Sequence, residues 1–171
     1  MNNLFVIYIG GAHEKSLIEL HDIRFVVADT IEETYPSLKK TWWGTPQSLH
    51  LDAWGILRYA DGHKISIRNK PTTKSKNKLY FVNLGGYDKN QFTELHQNIF
   101  VVAENEQQAK LKAVAKIQHW EVPHRDYLFE AENIMNIDTL LPDNQYIHLQ
   151  PNQTIIPFEF TCLYTPIGKL S

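Results

Sequence analysis

Residues 4–28 read LFVIYIGGAHEKSLIELHDIRFVVA, and residues 79–103 read LYFVNLGGYDKNQFTELHQNIFVVA. The two stretches align without a gap at a shift of 75. Ten of their 25 positions are identical: Leu4, Gly10, Gly11, Glu19, Leu20, His21, Phe25, Val26, Val27 and Ala28. A period of this length is too long for a solenoid unit and has the size of a small domain. The spacing therefore predicts a domain duplicated in tandem.

Each copy carries the same succession of signals. LFVIYIG and LYFVNLG are short, continuously apolar runs closed by a Gly-Gly pair, which predicts strands. DIRFVVAD and NIFVVAE, rich in Phe and Val, predict second strands. Thr30-Ile31-Glu32-Glu33 and Asn105-Glu106-Gln107-Gln108 have the pattern of reciprocal helix capping, so a helix follows in each copy. Pro36 must bend or restart the first of these. HLDAWGILRYADGHKISIR then reads as a hairpin around Asp61-Gly62, a type I′ turn pair. DYLFEAENI and QYIHLQ supply the corresponding strands of the second copy. The expected class is α+β: two tandem strand-strand-helix-strand-strand repeats, β-grasp- or roll-like. They are expected to pack on each other, because a unit this small buries too little surface alone. The expected boundaries are 1–69 for the first repeat, 70–78 for a linker, 79–151 for the second repeat and 152–171 for a C-terminal covering segment. The linker lies in the polar stretch RNKPTTKSKNK, and TIIPFEFTCLY in the tail has no counterpart in the first copy.

Composition narrows the function classes. With 43% hydrophobic and 21% charged residues the chain is globular rather than disordered. No apolar run approaches the ~20 residues that cross a bilayer, so no membrane partner is expected. The single cysteine, Cys162, can form neither an internal disulfide nor a thiolate zinc set, and a cytoplasmic setting is expected. A net charge of −2 draws in neither nucleic acid nor anionic lipid. Lys70, Lys74, Lys76 and Lys78 stand without interleaved aromatics, so no nucleic-acid platform is expected there. Residues 1–78 carry +3 and residues 79–171 carry −5. Such halves attract within one chain or between copies, which leaves a homo-oligomer open.

The pattern Leu-Phe-x-x-x-x-Gly-Gly, Glu-Leu-His-Asp, Phe-Val-Val, Trp-Gly and His-x-Asp-Ala-Trp falls on Leu4, Gly10, Glu19, Asp22, Phe25, Trp43, His50 and Trp54 with their neighbours. It resembles a bacterial family catalogued as domain of unknown function 1543. The likeness covers nearly all of residues 4–68 and, more loosely, 79–150. In the second copy Gln97 replaces the Asp, Trp120-Glu121 replaces Trp-Gly and Tyr127-Leu128 replaces Ala-Trp. The resemblance implies a fold type, one or two copies per chain and a bacterial, cytoplasmic setting. It implies no activity.

Chemistry-bearing residues concentrate at two echoes. Glu19 and His21 recur as Glu94 and His96, and His50 and Asp52 recur as His124 and Asp126. On an extended chain i and i+2 share a face, so each pair presents an imidazole beside a carboxylate. Three uses fit: acid–base work, divalent-metal ligation, or satisfaction of loop amides and carbonyls. The architectural use carries most weight at this stage. The Gly-Gly pairs meet neither nucleotide-binding fingerprint and are read as backbone devices, giving positive φ or close approach. Nucleophile-elbow, P-loop and kinase signatures are absent. Trp42, Trp43 and Trp54 are candidate surface aromatics, although packing of Trp42-Trp43 against a helix end is the more ordinary use. The leading expectation is a non-catalytic module that binds an unidentified protein or small molecule, with no cofactor expected. The alternative is a metal- or acid–base-dependent hydrolase built on the Glu-Leu-His and His-x-Asp clusters, which leaves room for a divalent metal.

Overall fold

The fold is that of a computed structural model, and it describes residues 2–72, 75–87, 90–117 and 131–168. In chain order the elements are β1 (Asn3–Gly11), β2 (Leu20–Ala28), α1 (Tyr35–Thr41), β3 (His50–Ile56), β4 (Tyr59–Ala60) and β5 (His63–Arg68). They continue with β6 (Lys78–Gly86), β7 (Leu95–Ala103), α2 (Glu106–Ala115), β8 (Ala131–Asn136), β9 (Tyr146–Pro151) and β10 (Phe160–Pro166). Among the described residues the class is mixed and strand-rich, with two short helices. Among the described residues no helix is long and apolar enough to cross a membrane. Two compact units form: Met1–Tyr59 with Lys64–Ile67 and Ile156–Ser171, and Ala60–His63 with Arg68–Ile155.

The first unit is built on a four-stranded antiparallel sheet in the order β10-β3-β1-β2. Alternation along β1 turns Phe5, Ile7 and Ile9 to one face, where they meet Leu38 and Trp42 of the α1 region and Leu49, Leu51 and Ile167. Pro36 falls in the first turn of α1, where the missing amide hydrogen costs nothing, and a 3₁₀ turn over Glu32–Thr34 precedes it. Glu33 accepts from the Asp29 and Thr30 amides at 2.9 and 3.4 Å, and its own amide donates to Thr30 Oγ1. The Thr30–Glu33 capping pattern thus closes around the 3₁₀ turn, and the helix proper restarts after it.

β3 carries an irregularity that decides which side chains reach which face. Leu51 lies opposite Ile9 and Ala53 opposite Tyr8, so Asp52 is an extra residue in the ladder. A bulge of this kind re-aims the strand beyond it. Leu51 before the bulge, and Trp54 and Ile56 after it, all serve the core. The hairpin expected to complete the sheet after β3 does not do so. The chain turns out at Leu57 and Arg58, and β4 and β5 form around Asp61-Gly62 outside this sheet. Asp61 and Gly62 have φ of 47° and 71°, the geometry of a type I′ turn. The free edge of β3 is taken by β10 instead. A β-grasp-like order is therefore not what pairs here: an apolar strand from the tail supplies the edge.

In the second unit β6 lies between β7 and β8. β6 pairs with β7 from Lys78↔Ala103 to Gly86↔Leu95, as β1 pairs with β2 from Asn3↔Ala28 to Gly11↔Leu20. Ala109 and Ala113 of α2 pack on Tyr80, Val82, Val101 and Ala103. Asn105 accepts from the Gln108 amide at 3.0 Å, and Gln108 Oε1 accepts from the Glu104 amide, so this helix is capped as its sequence predicts. Asp61 accepts from the Val102 amide at 2.9 Å and pairs with Lys116 at 2.7 Å and Lys112 at 3.5 Å.

Candidate metal centre

The outward face of the first sheet holds the polar cluster. In an antiparallel ladder, directly opposed residues point the same way. Gly10, on the central strand β1, opposes His21 of β2 on one side and His50 of β3 on the other. Glu19 sits just before β2 and Asp52 in the β3 bulge. Glu-Leu-His and His-x-Asp, 29 residues apart in sequence, are thus laid across three adjacent strands around a single glycine.

The four groups form a closed ring of nitrogens and oxygens. His21 Nε2 lies 3.5 Å from Glu19 Oε2 and 3.3 Å from Asp52 Oδ2. His50 Nε2 lies 3.2 Å from Glu19 Oε1 and 3.4 Å from Asp52 Oδ1. Ligand atoms held ~2.1 Å from a common centre at tetrahedral angles are roughly 3.4 Å apart. Glu19, His21 and His50 each offer one ligand atom, all within 4.8 Å of one another. Two imidazoles and two carboxylates are a donor set for zinc and neighbouring divalent transition ions.

His50 shows what the ring needs. Its side chain is only 1% exposed, and Nδ1 contacts the Ser48 carbonyl at 2.8 Å, which places the proton on Nδ1. Ser48 is itself fixed, its Oγ accepting from the Ala12 amide at 2.8 Å and donating to the Thr45 carbonyl at 2.7 Å. Nε2 of His50 is buried without a hydrogen-bond partner, and so is Asp52 Oδ2. A buried ring nitrogen facing carboxylate oxygens is costly unless a cation or a proton lies between them. Neither oxygen near Nε2 has the geometry to take a hydrogen bond from it. An ion between the oxygens suits that direction.

Gly10 lets the cluster pack close against β1. A Cβ at this position would lie 2.8 Å from His21 Cδ2 and His50 Nε2 and 2.9 Å from Asp52 Oδ2. Its φ is not positive: Gly62 is the only described glycine with that backbone. The Gly-Gly pair is therefore a steric device and not a conformational one, and it lies inside β1 rather than opening a loop. Two tyrosines flank the ring. Tyr8 stacks on His21 at 5.1 Å between centroids, and Tyr164 of β10 packs on His50 at 4.4 Å. Burial first, then the charges of Asp52 and Asp22, push the Tyr8 phenol above its ordinary value, so it stays protonated. Arg24 is paired with Asp22 and lies opposite Ile7, on the core side of the sheet.

The other candidates fall differently. In the second unit Glu94 and His96 are 3.9 Å apart, and His96 opposes Gly85. His124 and Asp126 lie outside the described residues. Of the three tryptophans read as surface aromatics, Trp42 is 9% exposed, with its ring nitrogen donating to the Thr45 carbonyl, and Trp54 packs on Phe5 in the core. Only Trp43 is open, 48% exposed and stacked on Trp42. Tyr8 and Tyr164 carry no motif, and pairing of β10 with β3 is what reveals the second of them.

Comparison with known proteins fits this geometry without adding chemistry. The pattern of a family described as Domain of Unknown Function (DUF1543) matches residues 16–67, which hold all four ring residues. A solved structure, the crystal structure of a protein Il1583 from Idiomarina loihiensis, is 33% identical, with a TM-score of 0.71 over 98% of each chain. The DUF1543 match is confined to residues 16–67, and the likeness to the solved protein runs over nearly the whole chain. No curated protein matches it. Neither the family description nor the name of the solved protein states an activity.

Proposed function

We propose that the first unit binds one divalent transition-metal ion, of the zinc class, through Glu19, His21, His50 and Asp52, and that the protein is a metal-dependent hydrolase. The observation that carries this is His50 Nε2: buried, without a hydrogen-bond partner, 3.2 Å from Glu19 Oε1 and 3.4 Å from Asp52 Oδ1, over a glycine where a Cβ would clash. Such an ion supplies Lewis-acid polarisation of a substrate oxygen. Glu19 is 46% exposed and forms the open side of the ring, so a substrate has access. A centre sealed on all sides would be structural instead. His50 and Asp52 anchor from beneath, the first through Ser48. The matching registers of β1–β2 and β6–β7 support an origin by tandem duplication, with the complete cluster in the first copy. The lone cysteine supports a cytoplasmic setting. A second reading, a binding module without chemistry, has exposed Trp43 in its favour.

The test is metal content. Tag-free protein reconstituted with zinc, manganese or iron and desalted is measured by inductively coupled plasma mass spectrometry, beside His50→Gln and Asp52→Asn. Close to one equivalent of one metal, lost in His50→Gln, is expected. Wild-type protein that retains none of the three would overturn the metal reading and leave the binding module.

A further inference from the structure

Resting on that metal reading, we infer that the site takes a neutral carbonyl compound bearing an aromatic or bulky apolar group, and not a phosphate ester or other anion. Two features of the rim carry this. The first is charge. A divalent ion with the Glu19 and Asp52 carboxylates sums to zero. Among the described residues neither carboxylate has a Lys or Arg partner. Arg24, the cation on β2, is held by Asp22 and lies opposite Ile7 on the core side. Phosphate and carboxylate substrates are recognised by guanidinium forks or excess positive charge, and among the described residues this mouth offers neither.

The second feature is the wall. Each histidine carries a tyrosine ring, Tyr8 stacked on His21 within 3° of parallel and Tyr164 tilted on His50 by 37°. Both rings keep open surface, Tyr8 39% and Tyr164 63% exposed. Along β10, Cys162 opposes Ala53 and Phe160 opposes Gly55, so their side chains continue the same face of the sheet. Phe160 is 61% exposed. An apolar strip therefore leads away from the ring on the β10 side, while the ring itself is polar. A ligand with an oxygen donor at one end and an aromatic group at the other matches both halves.

Hydroxamates test this without relying on turnover, because they bind a metal through two oxygens and carry a variable tail. Cobalt-loaded protein is titrated with acetohydroxamate, benzohydroxamate and inorganic phosphate, and the cobalt absorption bands report binding. Benzohydroxamate is expected to bind roughly ten-fold more tightly than acetohydroxamate, the scale of one well-placed aromatic contact. Phosphate is expected to bind more weakly than either. In Tyr164→Ala the preference for the aromatic tail falls to near unity while acetohydroxamate binding persists. Tyr164→Leu, which keeps an apolar side chain on the edge strand, serves if the alanine variant misfolds. Equal affinity for the two hydroxamates, or tighter binding of phosphate, overturns this inference and leaves the metal reading standing. Failure of cobalt to load overturns the metal reading itself, and this inference with it.

Discussion

Replacing Gly10 by alanine adds one methyl group at the centre of the ring. The backbone at this position is ordinary strand, so alanine is conformationally permitted. The new Cβ would stand 2.8 Å from His21 Cδ2 and His50 Nε2, against 3.4 Å for ordinary contact. Each ring must therefore withdraw by about 0.6 Å, beyond the ~0.2 Å that metal–ligand distances tolerate. His50 has little freedom to withdraw, since its other nitrogen is held on Ser48 O at 2.8 Å. We expect metal affinity to fall by at least roughly 100-fold. With metal at 100 times the wild-type dissociation constant, binding stabilises wild type by about 2.7 kcal/mol and a 100-fold weaker variant by about 0.4 kcal/mol. For a chain of this size these correspond to melting shifts of roughly 5–11 °C and 1–2 °C. The metal-free variant itself loses about 1–3 kcal/mol through overpacking, so it should still fold. The assay is thermal melting of both proteins with and without zinc. A Gly10→Ala protein that gains the wild-type increment from zinc would refute the steric argument and detach the glycine from the site.

Two further expectations concern the scaffold. Trp42→Ala, in the core, should cost about 3–5 kcal/mol in urea unfolding, while Trp43→Ala costs about 1 kcal/mol or less; equal losses would contradict the packing described. Burial raises the Asp61 carboxyl, but the Lys116 and Val102 hydrogen bonds and the Lys112 and Lys116 charges together hold it below its ordinary value. A lowered folded-state value stabilises above the unfolded value of about 3.9 and is lost as pH falls through the folded one. Asp61→Asn keeps the turn, since Asn tolerates positive φ, and should cost roughly 1–3 kcal/mol at pH 7. The gap to wild type should shrink on acidification below pH ~4; an unchanged gap at pH 3 would show that the charge is not what stabilises.

The sequence was legible wherever the information was local. The strand LFVIYIGG, the caps at Thr30 and Asn105, and the Asp61-Gly62 turn all depend on a few neighbouring residues, and each forms as its pattern requires. Glu19 with His21, and His50 with Asp52, were legible as pairs because a strand has period two. Their meeting was not legible, because it depends on β1 lying between β2 and β3, a pairing that no local signal specifies. Which edge the tail strand takes was equally hidden, since the tail has no counterpart in the repeat to suggest a place for it. Gly10 is the instructive case. From sequence a Gly-Gly pair suggests backbone freedom, the usual reason for glycine. In the folded sheet the backbone is unremarkable, and the missing side chain is what counts: His50 Nε2, Asp52 Oδ2 and the His21 Cδ2 carbon all come within 2.9 Å of where a Cβ would stand. The His50 nitrogen without a hydrogen-bond partner and the close approach at Gly10 meet at one atom, Nε2, which is why the metal measurement and Gly10→Ala test the same reading.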